Sequence, residues 1–259
     1  MSKAELVSVR KRKVPTLYET DESKYAGPHR WQVKPWARWM RRGLRWHAYT
    51  RWSEAAFTEL DISGLAHLEA VDGPCIFVGN HQSHLDTLLV MEALPERFRS
   101  RVLFGAAQDR WFVKGRKKLV LKPWYQSLAL GTFPILRGGG KRALSYASWL
   151  LEQNQHIFLF PEGTRATSDQ LGAFKHGVSL LAMQHQVPVV PLLLGGLREL
   201  QPKGQRDVVP GPASLRVLEP MRFSADLPVE QATERLYEAM NSAYLDMRGV
   251  VAEQPTIAA

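Results

Sequence analysis

Residues 77–90 read FVGNHQSHLDTLLV. The apolar run that starts at Cys75 and ends at Val78 has the length and composition of a buried strand, and an apolar helical pattern starts near Leu88. Between the two lie His81, Ser83, His84 and Asp86. On one continuous helix His81 and Asp86, five residues apart, would stand about 140° from each other and could not meet. They meet only if a helix starts between them, with Ser83 or His84 in the turn and Asp86 in the first helical turn. A carboxylate in a first helical turn is favoured by the helix dipole and can accept the Nδ1 proton of an imidazole. Nε2 is then free to draw a proton from a hydroxyl, as activation of a nucleophile requires. The same residues also read H-x-x-H-x-D, near the H-x-H-x-D-H run of metallo-hydrolases. Zinc would need more ligands, and neither Cys75 nor His156, His176 and His185 repeats a ligand spacing. No metal is expected, and His84 reads as a helix-start residue.

Strand, turn and helix recur along the chain. Strands are expected at Thr58–Ile62, Cys75–Val78, Arg101–Ala106, Thr132–Leu136, His156–Phe160, Val187–Leu194 and Ser214–Leu218. Helices are expected at Asp86–Ala93, Ala107–Leu119, Lys141–Gln153, Gly177–Gln186 and Val229–Arg248. This alternation predicts an α/β fold over residues 58–248, a largely parallel mixed sheet flanked by helices. A basic tail at 1–30 and a short tail at 249–259 read as flexible.

Residues 1–57 hold 13 basic and 5 acidic residues, a net of +8 out of the formal +9 of the whole chain. Such asymmetry suits a polyanion, either nucleic acid or an anionic membrane surface. Within it, residues 31–57 form an amphipathic helical segment. Trp36, Trp39, Met40 and Gly43 share one face, and Arg38, Arg41, Arg42 and Arg45 lie about 200° away. Tryptophan and arginine on opposed faces suit a bilayer interface. A helix packed on the body through its tryptophans, with a solvated arginine face, would carry the same pattern. No nucleic-acid recognition motif accompanies the charge, so no nucleic acid is expected. The stretch Trp111–Tyr125 is a second basic-aromatic patch, equally readable as a solvated helix with flanking core aromatics. No run approaches the roughly 18 apolar residues of a spanning helix, and the N-terminus has no apolar leader core. The single Cys75 excludes an intrachain disulfide and fits a reducing compartment. The expectation is a cytoplasmic protein held peripherally on the inner face of a membrane.

Two more strand ends carry cations. FLFPEGTR runs from Phe158 to Arg165, with Lys175 ten residues on. Glycine in such a loop lets backbone amides approach an anion, and the arginine fork grips phosphate, although a plain turn with a solvated arginine is also open. GTFPILRGGGK, Gly131 to Lys141, sets Arg137 directly after a strand. A nucleotide loop fails there, because Ile135 and Arg142 occupy the positions of its glycine and hydroxyl. In a parallel sheet these ends converge on one edge, where a base and two arginines describe a hydroxyl substrate that bears a phosphate.

These blocks resemble the glycerolipid acyltransferase family, typified by 1-acylglycerol-3-phosphate acyltransferase. His81 to Asp86 is similar to its H-x-x-x-x-D motif, Gly131–Arg137 to its second block, and FPEGTR at 160–165 with Phe174, Lys175 and Gly177 to its third. VPVVPL at 187–192 is similar to the fourth. The resemblance implies direct acyl transfer from acyl-CoA or acyl-carrier protein to a lysophospholipid hydroxyl, with no cofactor and no acyl-enzyme on Ser83. His81 would be the base and Asp86 its orienting acid. Arg137 and Arg165 would bind the acceptor phosphate, Glu162 and Gly163 would shape its pocket, and Thr164 and Lys175 belong to the same substrate-binding block. Pro134, Leu136 and Ala166 depart from the family pattern and leave the acceptor open: lysophosphatidate first, then another lysophospholipid, a lyso-ornithine lipid or a glycolipid. A catalytically silent membrane-binding relative is the rival reading, against which both His81 and Asp86 are present.

Overall fold

The computed structural model describes residues 24–166 and 168–252. Seven strands build one sheet: β1 (Phe57–Ser63), β2 (Ile76–Gly79), β3 (Val102–Ala107), β4 (Thr132–Ile135), β5 (His156–Leu159), β6 (Val189–Gly195) and β7 (Gly211–Val217). Their order is β1-β7-β6-β2-β5-β3-β4. Every pairing is parallel except β6 with β7, so β1 and β7 run against the other five. The largely parallel mixed sheet expected from the sequence is the one observed.

The first helices are α1 (Pro35–Ala56), α2 (Asp86–Ala93), α3 (Glu96–Arg99), α4 (Gln108–Trp111) and α5 (Pro123–Ala129). They are followed by α6 (Gly140–Ala143), α7 (Ser145–Glu152), α8 (Gly177–His185), α9 (Leu197–Leu200) and α10 (Val229–Ala252). Both faces of the sheet are covered, which is why its central strands are continuously apolar. The side chains still alternate. Ile76, Val78, Ile157 and Leu159 pack with Leu150, Leu181 and Met240 in one layer. Phe77, Phe158, Val190 and Leu192 pack with Leu89 and Phe98 in the other. Helix α10 joins the first layer through Ala232, Leu236, Met240 and Tyr244, a stripe at four-residue spacing.

Two expected helices differ. Ala107–Leu119 is not one helix: α4 stops at Trp111, and Val113 forms an antiparallel bridge with Tyr25. Gly115 then takes φ +79°, a left-handed turn that ends any helical run through the cationic stretch 114–118. After a 3-10 turn at Leu119–Leu121, α-helix resumes at Pro123, which suits a first helical position because its missing N–H has no partner to lose. Lys141–Gln153 is interrupted at Leu144, between α6 and α7. Of the tail expected at 1–30, residues 1–23 lie outside the described residues, while Tyr25 and Ala26 bond to the 112–113 segment. Helix α10 continues past Gly249 to Ala252, and 253–259 lie outside the described residues.

Helix α1 packs on the body by its arginines. Arg41 and Arg45 are buried, while Trp36, Trp39, Met40 and Trp46 are exposed. A helix leaves its last carbonyls without intrahelical donors. At the end of α5, Arg41 donates to Ser127 O and Leu128 O, and Arg45 to Ala129 O and Leu130 O. Two cations thus meet the negative end of a helix dipole and satisfy its orphan acceptors. Burial lowers the Arg41 pKa to about 10, so it remains charged at neutral pH. The packing of α1 through its tryptophan face is overturned.

Candidate active site

The site is built on the carboxyl edge of the five co-directional strands. Beyond β2, Asn80 is buried and imitates a strand: its Nδ2 donates to Leu194 O at 2.9 Å and its Oδ1 accepts the Leu194 N–H at 2.8 Å. The loop is fixed again where Gln82 Oε1 accepts the Leu197 N–H and Ser83 Oγ donates to Gln201 O. Ser83 is buried, and its hydroxyl is engaged there rather than poised for attack.

Helix α2 starts at Asp86, the turn geometry that His81 and Asp86 require. Asp86 Oδ2 accepts from His81 Nδ1 at 2.6 Å and from the Gln82 N–H at 2.9 Å, and Oδ1 accepts the Ser83 N–H at 2.9 Å. The carboxylate is fully buried, which pushes its pKa up, while His81 and the two amides pull it back. With Nδ1 facing Asp86, Nε2 is the free imidazole nitrogen. The ring lies on Phe160 at 3.9 Å between centroids and 17° between planes, so its orientation is held from a second side. Asn80, Gln82, Gln201 and Phe160 were not singled out from the sequence, since only the fold brings 194–201 and 160 to the 80–86 turn.

The loop after β5 clamps His81 by its backbone. Glu162 Oε1 accepts the His81 N–H at 2.9 Å, Oε2 accepts the Gly172 N–H at 3.0 Å, and the Ala166 N–H donates to His81 O at 2.7 Å. The carboxylate expected to shape the acceptor pocket is therefore engaged by two amides and supports the base. Its burial raises its pKa, opposed by those two hydrogen bonds. Gly163 has φ +69°, and a Cβ there would come within 2.7 Å of Lys175 Nζ, so glycine admits both the turn and the lysine. Thr164 is exposed beside it.

Arg165 is only 7% exposed, and its Nη1 has no hydrogen-bond partner among the described residues. Burial and then Arg110 lower its pKa, and Asp86 opposes them. A desolvated guanidinium nitrogen beside a second cation and a proton-accepting pair is a place for an anion. His84, exposed at one side, meets Trp111 in a T-shaped pair, and partial desolvation, then Arg165, His81 and Arg110, lower its pKa to about 4. His84, Arg110, Trp111 and Arg116 line a hollow of about 190 Å³. Arg110 follows β3 as Arg137 follows β4, and the same signal, a cation after a strand, could have found it.

Arg137, expected to bind the acceptor phosphate, follows β4. It is half-exposed and paired with Asp109 at 3.2 Å. Three strand spacings separate β4 from β2, about 14 Å, whereas β5 is the neighbour of β2. By strand order, Arg165 follows the neighbour of β2, Arg110 the next strand and Arg137 the one beyond. Among the described residues no group of three His, Cys, Asp or Glu side chains is placed to hold a metal ion.

The α/β sheet thus holds a histidine–aspartate pair beside a buried arginine whose Nη1 has no hydrogen-bond partner among the described residues. The family model described as Acyltransferase matches residues 59–195, more than half of the chain. The chain belongs to the acyltransferase family. It is 31% identical over 192 residues to the chloroplastic 1-acyl-sn-glycerol-3-phosphate acyltransferase BAT2 of Brassica napus, covering 71% of this chain and 52% of that protein. It is 31% identical over 181 residues to the human 1-acyl-sn-glycerol-3-phosphate acyltransferase beta, covering 66% of this chain and 60% of that protein. The chain thus spans between half and two thirds of the length of these curated relatives. The crystal structure of the 1-acyl-sn-glycerophosphate acyltransferase from Thermotoga maritima shares the fold, with a TM-score of 0.60 at 23% identity over 86% of this chain and 81% of that one.

Proposed function

We propose that the protein transfers a fatty acyl group from an acyl thioester to the free hydroxyl of a lysophospholipid, 1-acylglycerol-3-phosphate before others. One observation carries this reading: the 2.6 Å His81–Asp86 pair stands beside a buried arginine with an Nη1 unpartnered among the described residues. The names of the relatives point the same way.

The acceptor hydroxyl donates to His81 Nε2. As its oxygen bonds to the thioester carbonyl carbon, the proton passes to Nε2, and Asp86 stabilises the imidazolium through the Nδ1 proton. The tetrahedral adduct collapses, the C–S bond breaks, and the sulfur takes the proton back from Nε2. Ester, free thiol and neutral His81 result. Arg165 and Arg110 hold the acceptor phosphate, with Lys175 near the loop. The residues engaged in this cycle need no cofactor, and the thioester is acyl-CoA or acyl-carrier protein.

The lipid acceptor gives the exposed tryptophans of α1 a purpose. Trp36, Trp39 and Trp46 form a face suited to headgroup depth, and no helix among the described residues is long and apolar enough to cross a membrane. Peripheral association with the cytoplasmic side of a membrane is therefore part of the proposal.

Product analysis tests it. Incubation with palmitoyl-CoA or palmitoyl-carrier protein and each candidate lysolipid should yield phosphatidate from lysophosphatidate, as seen by mass spectrometry, and a chelator should change nothing. Product from a different lysolipid alone would reassign the acceptor. No acylated product from any pair would leave the membrane-binding reading in its place.

A further inference from the structure

Opposite the edge that carries His81, where the chain enters β3, a cleft of about 230 Å³ opens between α1 and the α2–α3 segment. Arg38, Arg41, Arg42 and Arg45 line it from α1, and Arg99 from the facing side. Two glutamates, Glu92 and Glu96, are the carboxylates of its wall. Glu96 is shared between Arg42 at 3.3 Å and Arg99 at 3.2 Å. Arg45 spends its donors on main-chain carbonyls, Arg41 most of its own, and Arg42 and Arg99 share Glu96, so Arg38 and the Nη1 of Arg41 are the cationic donors turned to the cleft without a carboxylate among the described residues. Arg41 has no carboxylate partner and its Nη1 no hydrogen-bond partner among the described residues; burial lowers its pKa, Tyr146 opposes that, and the like charge of Arg38 adds to it.

A buried guanidinium nitrogen without an acceptor, next to the like charge of Arg38, is favoured by an anion that joins the two. A phosphate group matches the donors present, because its non-ester oxygens accept from guanidinium forks. The position of the cleft indicates the source of that phosphate. Trp46, which is 77% exposed, lies on its rim, and Trp39, exposed, and Trp36, half-exposed and stacked on Trp31, continue along the same helix. A surface that sets indoles at headgroup depth brings lipid phosphates to the mouth of the cleft.

We propose that this cleft binds the phosphate of an anionic phospholipid headgroup, at a site separate from the acceptor pocket. The headgroup site presupposes the membrane docking proposed above and is independent of the acyl-transfer chemistry. It would hold α1 on anionic bilayers by a defined contact rather than by overall charge.

Soluble dihexanoylphosphatidylglycerol, titrated calorimetrically below its micellar range into the full chain, tests this. Arg41 also caps α5, so its loss could unfold the protein; R38Q/R42Q alters the mouth of the cleft instead. Wild type, R165Q and the charge-matched R222Q/R235Q should bind alike, and R38Q/R42Q should bind at least about tenfold more weakly. Inorganic phosphate and dihexanoylphosphatidylcholine should bind far more weakly than the anionic lipid. Four results overturn the assignment: no binding to wild type, loss in R165Q with retention in R38Q/R42Q, an equal fall in R222Q/R235Q, or equal affinity for inorganic phosphate. Acyl transfer to a soluble acceptor, measured alongside, should persist in R38Q/R42Q. Its absence from wild type would count against the proposed function and leave the titration readable.

Discussion

Replacing Asp86 by Asn keeps the shape of the side chain and removes its charge. Both carboxylate oxygens accept backbone N–H groups, Oδ2 from Gln82 and Oδ1 from Ser83, and Oδ2 also accepts from His81. An amide has one oxygen, so its NH2 must oppose a donor in either orientation. With oxygen toward His81, the Ser83 N–H loses its acceptor, at a cost of about 1–3 kcal/mol. The imidazole then keeps its tautomer but the imidazolium loses its countercharge. With nitrogen toward His81, Nδ1 must accept, the proton moves to Nε2, and the base is lost. The two orientations bracket the effect: kcat should fall by about 10²- to 10⁴-fold, roughly 3–5 kcal/mol in barrier. The assay is thiol release from palmitoyl-CoA at saturating lysophosphatidate, with circular dichroism as the control for folding. A folded Asp86→Asn protein within about threefold of wild type would refute the orienting role of Asp86.

Arg110→Ala and Arg165→Ala should each raise KM for lysophosphatidate about 10- to 100-fold, the loss of a charge-assisted hydrogen bond. Arg137→Ala, which removes a half-exposed side chain paired with Asp109, should change it less than about threefold; the reverse ranking would return the phosphate to Arg137. His156 is buried against Cys75 Sγ, and burial, Arg101 and Arg97 lower its pKa from 6.5 to about 4. Because the folded state resists the proton, stability is intact above pH 6.5 and declines as pH falls toward 4, by up to about 3 kcal/mol. Denaturant midpoints near neutral pH and in mild acid should show that decline reduced in His156→Gln, and an equal decline in both proteins contradicts it. Trp36→Ala/Trp39→Ala should lower flotation with anionic vesicles at least about tenfold, given the apolar area of two indoles; unchanged flotation contradicts docking through α1.

The sheet was legible because each central strand is an apolar run between turns, and a run of that kind has few other uses. Helix α2 was legible because His81 and Asp86 make chemical sense only if it begins where it does. The orientation of α1 was not. A helical wheel separates tryptophans from arginines but cannot say which face is inside, and burying arginines becomes favourable only once the carbonyls at the end of α5 lie beneath them. Arg137 and Arg110 both follow strands, and only the strand order places β3 nearer the base than β4. The resemblance places Glu162 in a pocket-shaping block, and the sequence does not reveal that the amides of His81 and Gly172 surround its carboxylate.

The central claim is that His81 activates an acceptor hydroxyl for direct attack on a thioester. Thiol release from palmitoyl-CoA by the wild-type chain and by His81→Ala, each with and without lysophosphatidate, tests it most directly. Release that requires both the acceptor and His81 is the expected result. Release without acceptor, or undiminished release by His81→Ala, would contradict it.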